Sequence, residues 1–160
     1  RYYADLLDSD VGVFYKRRDL SRVVNGKNPI IEHTYMGSDV KDKDILVVDD
    51  MIASGSSMLE VGKMLKEKGA RKVYFIATFA LFTEGIESFE RAYLDDTFDK
   101  LYTTNLSYIP KEFKDKTWFH TVDCSMNIAE IINALHNKES LTPLLNGKEK
   151  IIKLRGEKTL

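Results

Sequence analysis

Residues 45–57 read Ile45-Leu46-Val47-Val48-Asp49-Asp50-Met51-Ile52-Ala53-Ser54-Gly55-Ser56-Ser57, and they decide the fold. Four consecutive apolar residues, Ile45–Val48, have the pattern of a strand covered on both faces. A loop is expected from Asp49 onward. It leads directly into a helix over Ser56–Lys68, where Met58, Val61, Gly62 and Leu65 recur at helical spacing and Gly69 ends the run. Strand, acidic loop, small residues and helix in that order are the start of an α/β unit.

The same alternation extends both ways. Val73–Phe79 reads as a second buried strand, and Thr83 can cap a helix carrying Ile86, Phe89 and Tyr93. Leu101–Thr104 and Trp118–Val122 are shorter strands, and Ile128, Ile131, Ile132 and Leu135 form the cleanest helical stripe. Upstream, Val11–Tyr15 and Ile30–Tyr35 are strand candidates joined through Asn25-Gly26, a pair that readily takes a type I′ turn, while Pro29 keeps the second arm at an edge. The expected fold class is therefore α/β, a largely parallel twisted sheet flanked by helices. One domain is expected over residues 1–146, with a frayed tail over 147–160, where five Lys/Arg occur among few aromatics. The opening Arg1–Leu7 looks like the last turns of a helix, with no methionine or capping residue ahead, so a piece of a longer chain is expected.

Composition narrows the function. The chain has 160 residues, 43% hydrophobic and 31% charged, which suits one globular domain with a real core. Lys plus Arg number 24 against 25 Asp plus Glu, so the basic excess of a non-specific nucleic-acid binder is missing. The single Cys124 rules out an internal disulfide framework. No apolar run approaches the roughly 18 residues of a membrane span, and no signal-peptide pattern opens the sequence. A soluble cytoplasmic protein is expected.

The chemistry is concentrated at 49–57. Two adjacent carboxylates at a strand mouth need solvent, cations or hydroxyl donors, because burying both unpaired is very costly. The stretch that follows offers hydroxyls and successive backbone N–H groups at a helix N-terminus, an anion cradle suited to a terminal phosphate. Gly55 lets the backbone approach closely without a Cβ. A bare Ser-Gly-Ser reads equally well as a helix cap, and a bare Asp-Asp as a solvated turn. Their joint spacing points to a phosphorylated sugar. A Walker loop fails, since six residues rather than four separate Gly55 from Gly62-Lys63 and Met64 follows.

Val47–Ser57 resembles the PRPP-binding motif of type I phosphoribosyltransferases, where PRPP is phosphoribosyl diphosphate. Phe14-Tyr15-Lys16-Arg17-Arg18, Thr103-Thr104-Asn105-Leu106 and the closing stretch with His136, Glu139, Ser140 and Leu141 are similar to the C-terminal half of the ribose-phosphate pyrophosphokinases. The resemblance spans about residues 1–145. It implies a type I phosphoribosyltransferase-like fold and transfer of the pyrophosphoryl group of Mg-ATP to ribose 5-phosphate, giving PRPP and AMP. It makes Lys16 the catalytic cation, with Arg18 contacting phosphates or sugar. Asp49 and Asp50 hold the ribose hydroxyls, and Ala53, Ser54, Gly55, Ser56 and Ser57 hold the 5-phosphate. Mg2+ as cofactor, ATP and ribose 5-phosphate as substrates, and a homo-oligomer follow from the same resemblance. Ala53 stands where many members of the family carry a third acid. The family's ATP-binding residues precede the region matched here, so the 160-residue chain alone is expected to be inactive.

Two other readings stay open: a nucleobase phosphoribosyltransferase that consumes PRPP, and a non-catalytic regulator of the same fold. Elsewhere, His33, His120 and His136 stand at no metal-ligand spacing. His120 reads as a packed residue, His136 as a helix C-terminal cap, and Cys124 as a small buried side chain. The Asp19–His33 stretch is expected to be mobile without substrate.

Overall fold

In a computed structural model the structure describes residues 1–18, 21, 30–154 and 156, with the side chains of 1–15, 21, 34–148, 151, 152, 154 and 156. The chain gathers into two compact units, one of Arg1–Asp39 with Asn146–Leu160, the other of Val40–Leu145.

The first unit holds helix α1 (Tyr2–Leu7), strands β1 (Val13–Arg18) and β2 (Ile30–Met36), and helix α7 (Lys148–Leu154), which lies in the stretch expected to fray. The strands pair antiparallel, Phe14 opposite Tyr35 and Lys16 opposite His33, with an irregularity between Arg17 and Arg18. The rings of Phe14 and Tyr35 meet at 5.1 Å, a cross-strand aromatic pair that helps fix the register. The Asn25-Gly26 turn and most of the Asp19–His33 stretch lie outside the described residues.

The second unit is a four-stranded parallel sheet in the order β3 (Asp44–Ile52), β4 (Lys72–Ala80), β5 (Lys100–Thr104), β6 (Phe119–Val122). Helices α2 (Ser56–Glu67), α3 (Glu87–Leu94) and the short α4 (Lys111–Lys114) make the crossovers, and α5 (Ser125–His136) and α6 (Thr142–Leu145) close the unit. The α/β class with a parallel sheet flanked by helices is as expected. Parallel neighbours need such crossovers, because a tight turn cannot return the chain in the same direction.

The core is aromatic. Val73, Phe75, Phe89, Phe98, Leu101 and Phe113 are fully or almost fully buried. Phe75 stacks on Phe98 at 5.0 Å and Phe82 on Phe113 at 3.8 Å. Such ring pairs are worth roughly 0.5–1.5 kcal/mol each beyond their buried area. Helix α2 comes close to the sheet at Gly62, where a β-carbon would fall 2.7 Å from Phe75 Cζ. Lys66 on the same helix, mostly buried, reaches Asp99 at 3.2 Å and Asp96 at 3.3 Å.

Three expectations are corrected, and that of a helical stripe in α5 is met and qualified. β3 lies at the edge of the described sheet, with Leu46 47% and Val48 44% exposed, so it is not covered on both faces. Thr83 caps no helix: α3 begins at Glu87 after Ile86, and the Thr83 N–H instead donates to the Ala53 carbonyl at 3.0 Å. The α5 stripe is helical, yet Ile132 and Leu135 are about 60% exposed and Ala134 is the buried residue of that helix. Cys124 is half-buried at the N-cap of α5.

Candidate sugar-phosphate site

The site lies at the carboxyl ends of the parallel strands, where ligands of open α/β sheets collect. β3 runs through Ile52, so Asp49 and Asp50 belong to the strand and not to the loop expected there. Asp49 pairs with Ala77 and Met51 with Phe79 across the ladder to β4. That extension has a chemical consequence. Successive strand residues leave opposite faces, so the adjacent carboxylates diverge. Asp49 shares its face with Ala77 and Thr103, the side on which Phe75 is buried against α2.

Asp49 Oδ1 accepts the Asp50 N–H at 2.9 Å. Partial burial, the largest influence, lifts the Asp49 carboxyl above its ordinary range, and the Asp50 charge adds to this while the Asp50 N–H opposes it. The group therefore sits where a hydroxyl donor or a cation would relieve it.

Beyond Ile52 the backbone turns through Ala53 and Ser54 to Gly55, which caps α2 with φ +86°. A side chain at this value is strained. Space is short as well, since a β-carbon on Gly55 would overlap the ring of buried Phe89. The cap uses no side-chain hydrogen bond. The first helical bond runs from the Leu59 N–H to the Gly55 carbonyl at 3.0 Å. The Ser56 N–H points at Ser54 Oγ at 3.4 Å, and the two hydroxyls meet at 3.1 Å. The N–H groups of Ser57 and Met58 have no partner among the described residues. Free first-turn donors with the positive end of a twelve-residue helix behind them have the chemistry to receive an anion, which makes this turn the candidate phosphate site.

The strand mouths are laced together. The Leu81 N–H donates to the Ile52 carbonyl at 2.8 Å. Ser107 Oγ takes the Ala80 N–H at 3.1 Å and donates to its carbonyl at 2.9 Å. Asn105 ties β5 to β6: its Nδ2 donates to Asp123 Oδ1 at 2.7 Å and to Ser125 Oγ at 3.1 Å, while its Oδ1 accepts the Cys124 N–H at 2.8 Å. Hydrogen bonds from the Ser125 side chain, from the Ser125 N–H at 2.9 Å and from Asn105 hold the Asp123 carboxyl below its ordinary range. Nothing local in Thr103–Leu106 marks Asn105 as this hub, because its partners lie 18–20 residues away.

Ala53, Ser54, Gly55, Ser56 and Ser57 thus follow directly on the end of β3, with Asp49 on the strand face that meets α2 and Asp50 on the opposite face. Lys16 and Arg18 lie two residues apart on β1 of the other unit. Among the described residues no three His, Cys, Asp or Glu side chains cluster as a metal cage, and no helix is long and apolar enough to cross a membrane.

The phosphoribosyl synthetase-associated domain family matches residues 14–146. The ribose-phosphate pyrophosphokinase of Haemophilus influenzae is 30% identical over 147 residues, covering 91% of this chain and 44% of that protein. That of Vibrio parahaemolyticus is 30% identical, covering 87% and 41%. The chain spans less than half the length of these relatives. Among solved structures, the phosphoribosylpyrophosphate synthetase of Mycobacterium smegmatis superposes with a TM-score of 0.58 at 21% identity, over 67% of this chain and 34% of that one. The fold is shared with that protein.

Proposed function

The chain belongs to the phosphoribosyl synthetase-associated domain family, and from that premise we propose that it is the ribose-5-phosphate-binding part of a ribose-phosphate pyrophosphokinase. The observation that carries the reading is the Gly55 turn, where the end of an acidic strand delivers unpartnered N–H groups at a helix start. The 5-phosphate accepts from Ser57 and Met58 N–H, with the Ser54 and Ser56 hydroxyls beside it. Asp49, on the face of β3 that meets α2, accepts a hydrogen bond from a ribose hydroxyl.

In the reaction, the anomeric oxygen of ribose 5-phosphate forms a bond to the β-phosphorus of ATP while the bond from that phosphorus to the α-phosphate's bridging oxygen breaks. AMP leaves and the anomeric proton passes to solvent or a base. Such a transfer depends on in-line positioning and on neutralising charge across phosphate oxygens. Lys16 supplies a point charge and Arg18 a planar fork for those oxygens. Asp49 would hold Mg2+, an ion that needs only one or two carboxylates beside phosphate oxygens. When bound it would neutralise phosphate charge. A homo-oligomer and a cytoplasmic location belong to the same proposal.

Calorimetry with ribose 5-phosphate tests the reading. Saturable uptake is expected, lost when Gly55 is replaced in a variant that stays folded. No heat at millimolar sugar phosphate would remove the reading. The 160-residue chain alone is expected to release no AMP from Mg-ATP and ribose 5-phosphate. Ala53 favours a second reading, a ribose-phosphate binder without catalysis, which predicts no AMP from the full-length protein either.

A further inference from the structure

A cleft of about 560 Å³ opens on the β6 side of the parallel sheet, lined by Tyr108, Ile109, Lys114, Phe119, His120 and Thr121. Its size lies within the range of small-ligand sites. Among the described residues no carboxylate lines it. Asn105 and Ser107, also at its wall, have their side chains committed to Asp123, Ser125 and Ala80. The polar groups left for a ligand are therefore the Lys114 ammonium, the Thr121 and Tyr108 hydroxyls, and His120.

His120 is the informative member. Its ring stacks on Tyr102 at 5.1 Å, nearly parallel. Its Nε2 is shut off from water with no hydrogen-bond partner among the described residues. A buried nitrogen in that condition is costly, and a small turn of the ring toward an acceptor in the cleft would remove the cost. Lys114, exposed on α4, adds a positive charge with no acid opposing it across the cleft. Ile109 and Phe119 are almost fully buried, so the apolar surface open to a ligand beside these donors is the largely exposed Tyr108 ring.

We propose that this cleft is a second binding site, for an aromatic phosphomonoester, its phosphate on Lys114 and His120 and its ring against the exposed Tyr108. The inference uses none of the residues of the Gly55 site and stands whether or not that site binds ribose 5-phosphate.

Phenyl phosphate is the probe, titrated into the 160-residue chain while the imidazole resonances of His120 and the amides of 53–57 are followed by NMR. His120 is expected to shift saturably. Lys114→Ala, a change at an exposed position, is expected to weaken that response about tenfold, as loss of a charge-assisted contact implies. Inorganic phosphate is expected to bind about tenfold more weakly, for want of the ring. Three results would each overturn the proposal: His120 unmoved at millimolar phenyl phosphate while 53–57 respond, an unchanged response in the Lys114 variant, or equal affinity for inorganic phosphate.

Discussion

Gly55 rests directly against the ring of Phe89, one at the start of α2 and the other fully buried on α3. The contact joins the candidate phosphate turn to the aromatic core. The turn needs a residue that accepts a positive φ, and the core leaves that residue no room for a side chain. The same glycine therefore answers for both stability and binding.

Gly55→Ala should destabilise the fold by about 2–4 kcal/mol, the sum of left-handed strain and overpacking against Phe89. For a chain of this size that lowers the melting midpoint by roughly 5–15 °C. Thermal unfolding followed by circular dichroism measures it, and an unchanged midpoint would contradict the packing described for Phe89. The double variant with Phe89→Leu should recover part of the loss, because the ring edge is what the new methyl meets.

Asp49→Asn should weaken ribose 5-phosphate binding and at the same time raise the melting midpoint at neutral pH. The Asp49 carboxyl is held above its ordinary range chiefly by burial, so the folded chain binds its proton more tightly than the unfolded chain does. Its contribution to stability is fullest below the ordinary carboxylate range and is lost as pH rises through the folded value. Asparagine cannot ionise and escapes that loss. Calorimetry and a melting series across pH separate the two effects.

Asp123 should behave oppositely. Ser125 and Asn105 hydrogen bonds hold its carboxyl low, so its contribution is present above the ordinary carboxylate range and disappears as pH falls through the folded value. Asn105→Ala removes one of these donors and unties β5 from β6 at their carboxyl ends. The expected result is a lower midpoint at neutral pH and a shallower acid-induced fall. An acid limb unchanged in slope would show that Asp123 is not held by these bonds.

On the proposed pyrophosphokinase reading, Lys16→Ala in the full-length protein should reduce AMP release by at least about a hundredfold, in line with loss of a cation from a phosphoryl-transfer site. Ribose 5-phosphate binding should persist, since its proposed contacts lie on 49–57. A loss of binding equal to the loss of rate would assign Lys16 to holding the sugar phosphate.

What the sequence determined by itself is local and periodic. The apolar run at Ile45–Val48, the helical spacing from Met58 to Leu65 and the glycine at 69 specify strand, helix and stop through backbone preference and side-chain period alone. The parallel class follows, because strands separated by helix-length segments have few other ways to pair. The Asp-Asp and Ser-Gly-Ser pieces of the candidate site are legible as motifs for the same reason, being contiguous.

Tertiary structure decided what depends on distant partners. β4 extends β3 through Asp49 and Asp50 by pairing with Ala77 and Phe79, which turns two loop acids into strand residues facing opposite ways. Thr83 and Asn105 take roles set by Ala53, Asp123 and Ser125, residues far off in the chain. The edge place of β3 and the exposed stripe of α5 come from which elements pack on which. Burial is a property of neighbours, and a hydrophobic period states only that a face wants cover, while the fold determines whether anything lies against it.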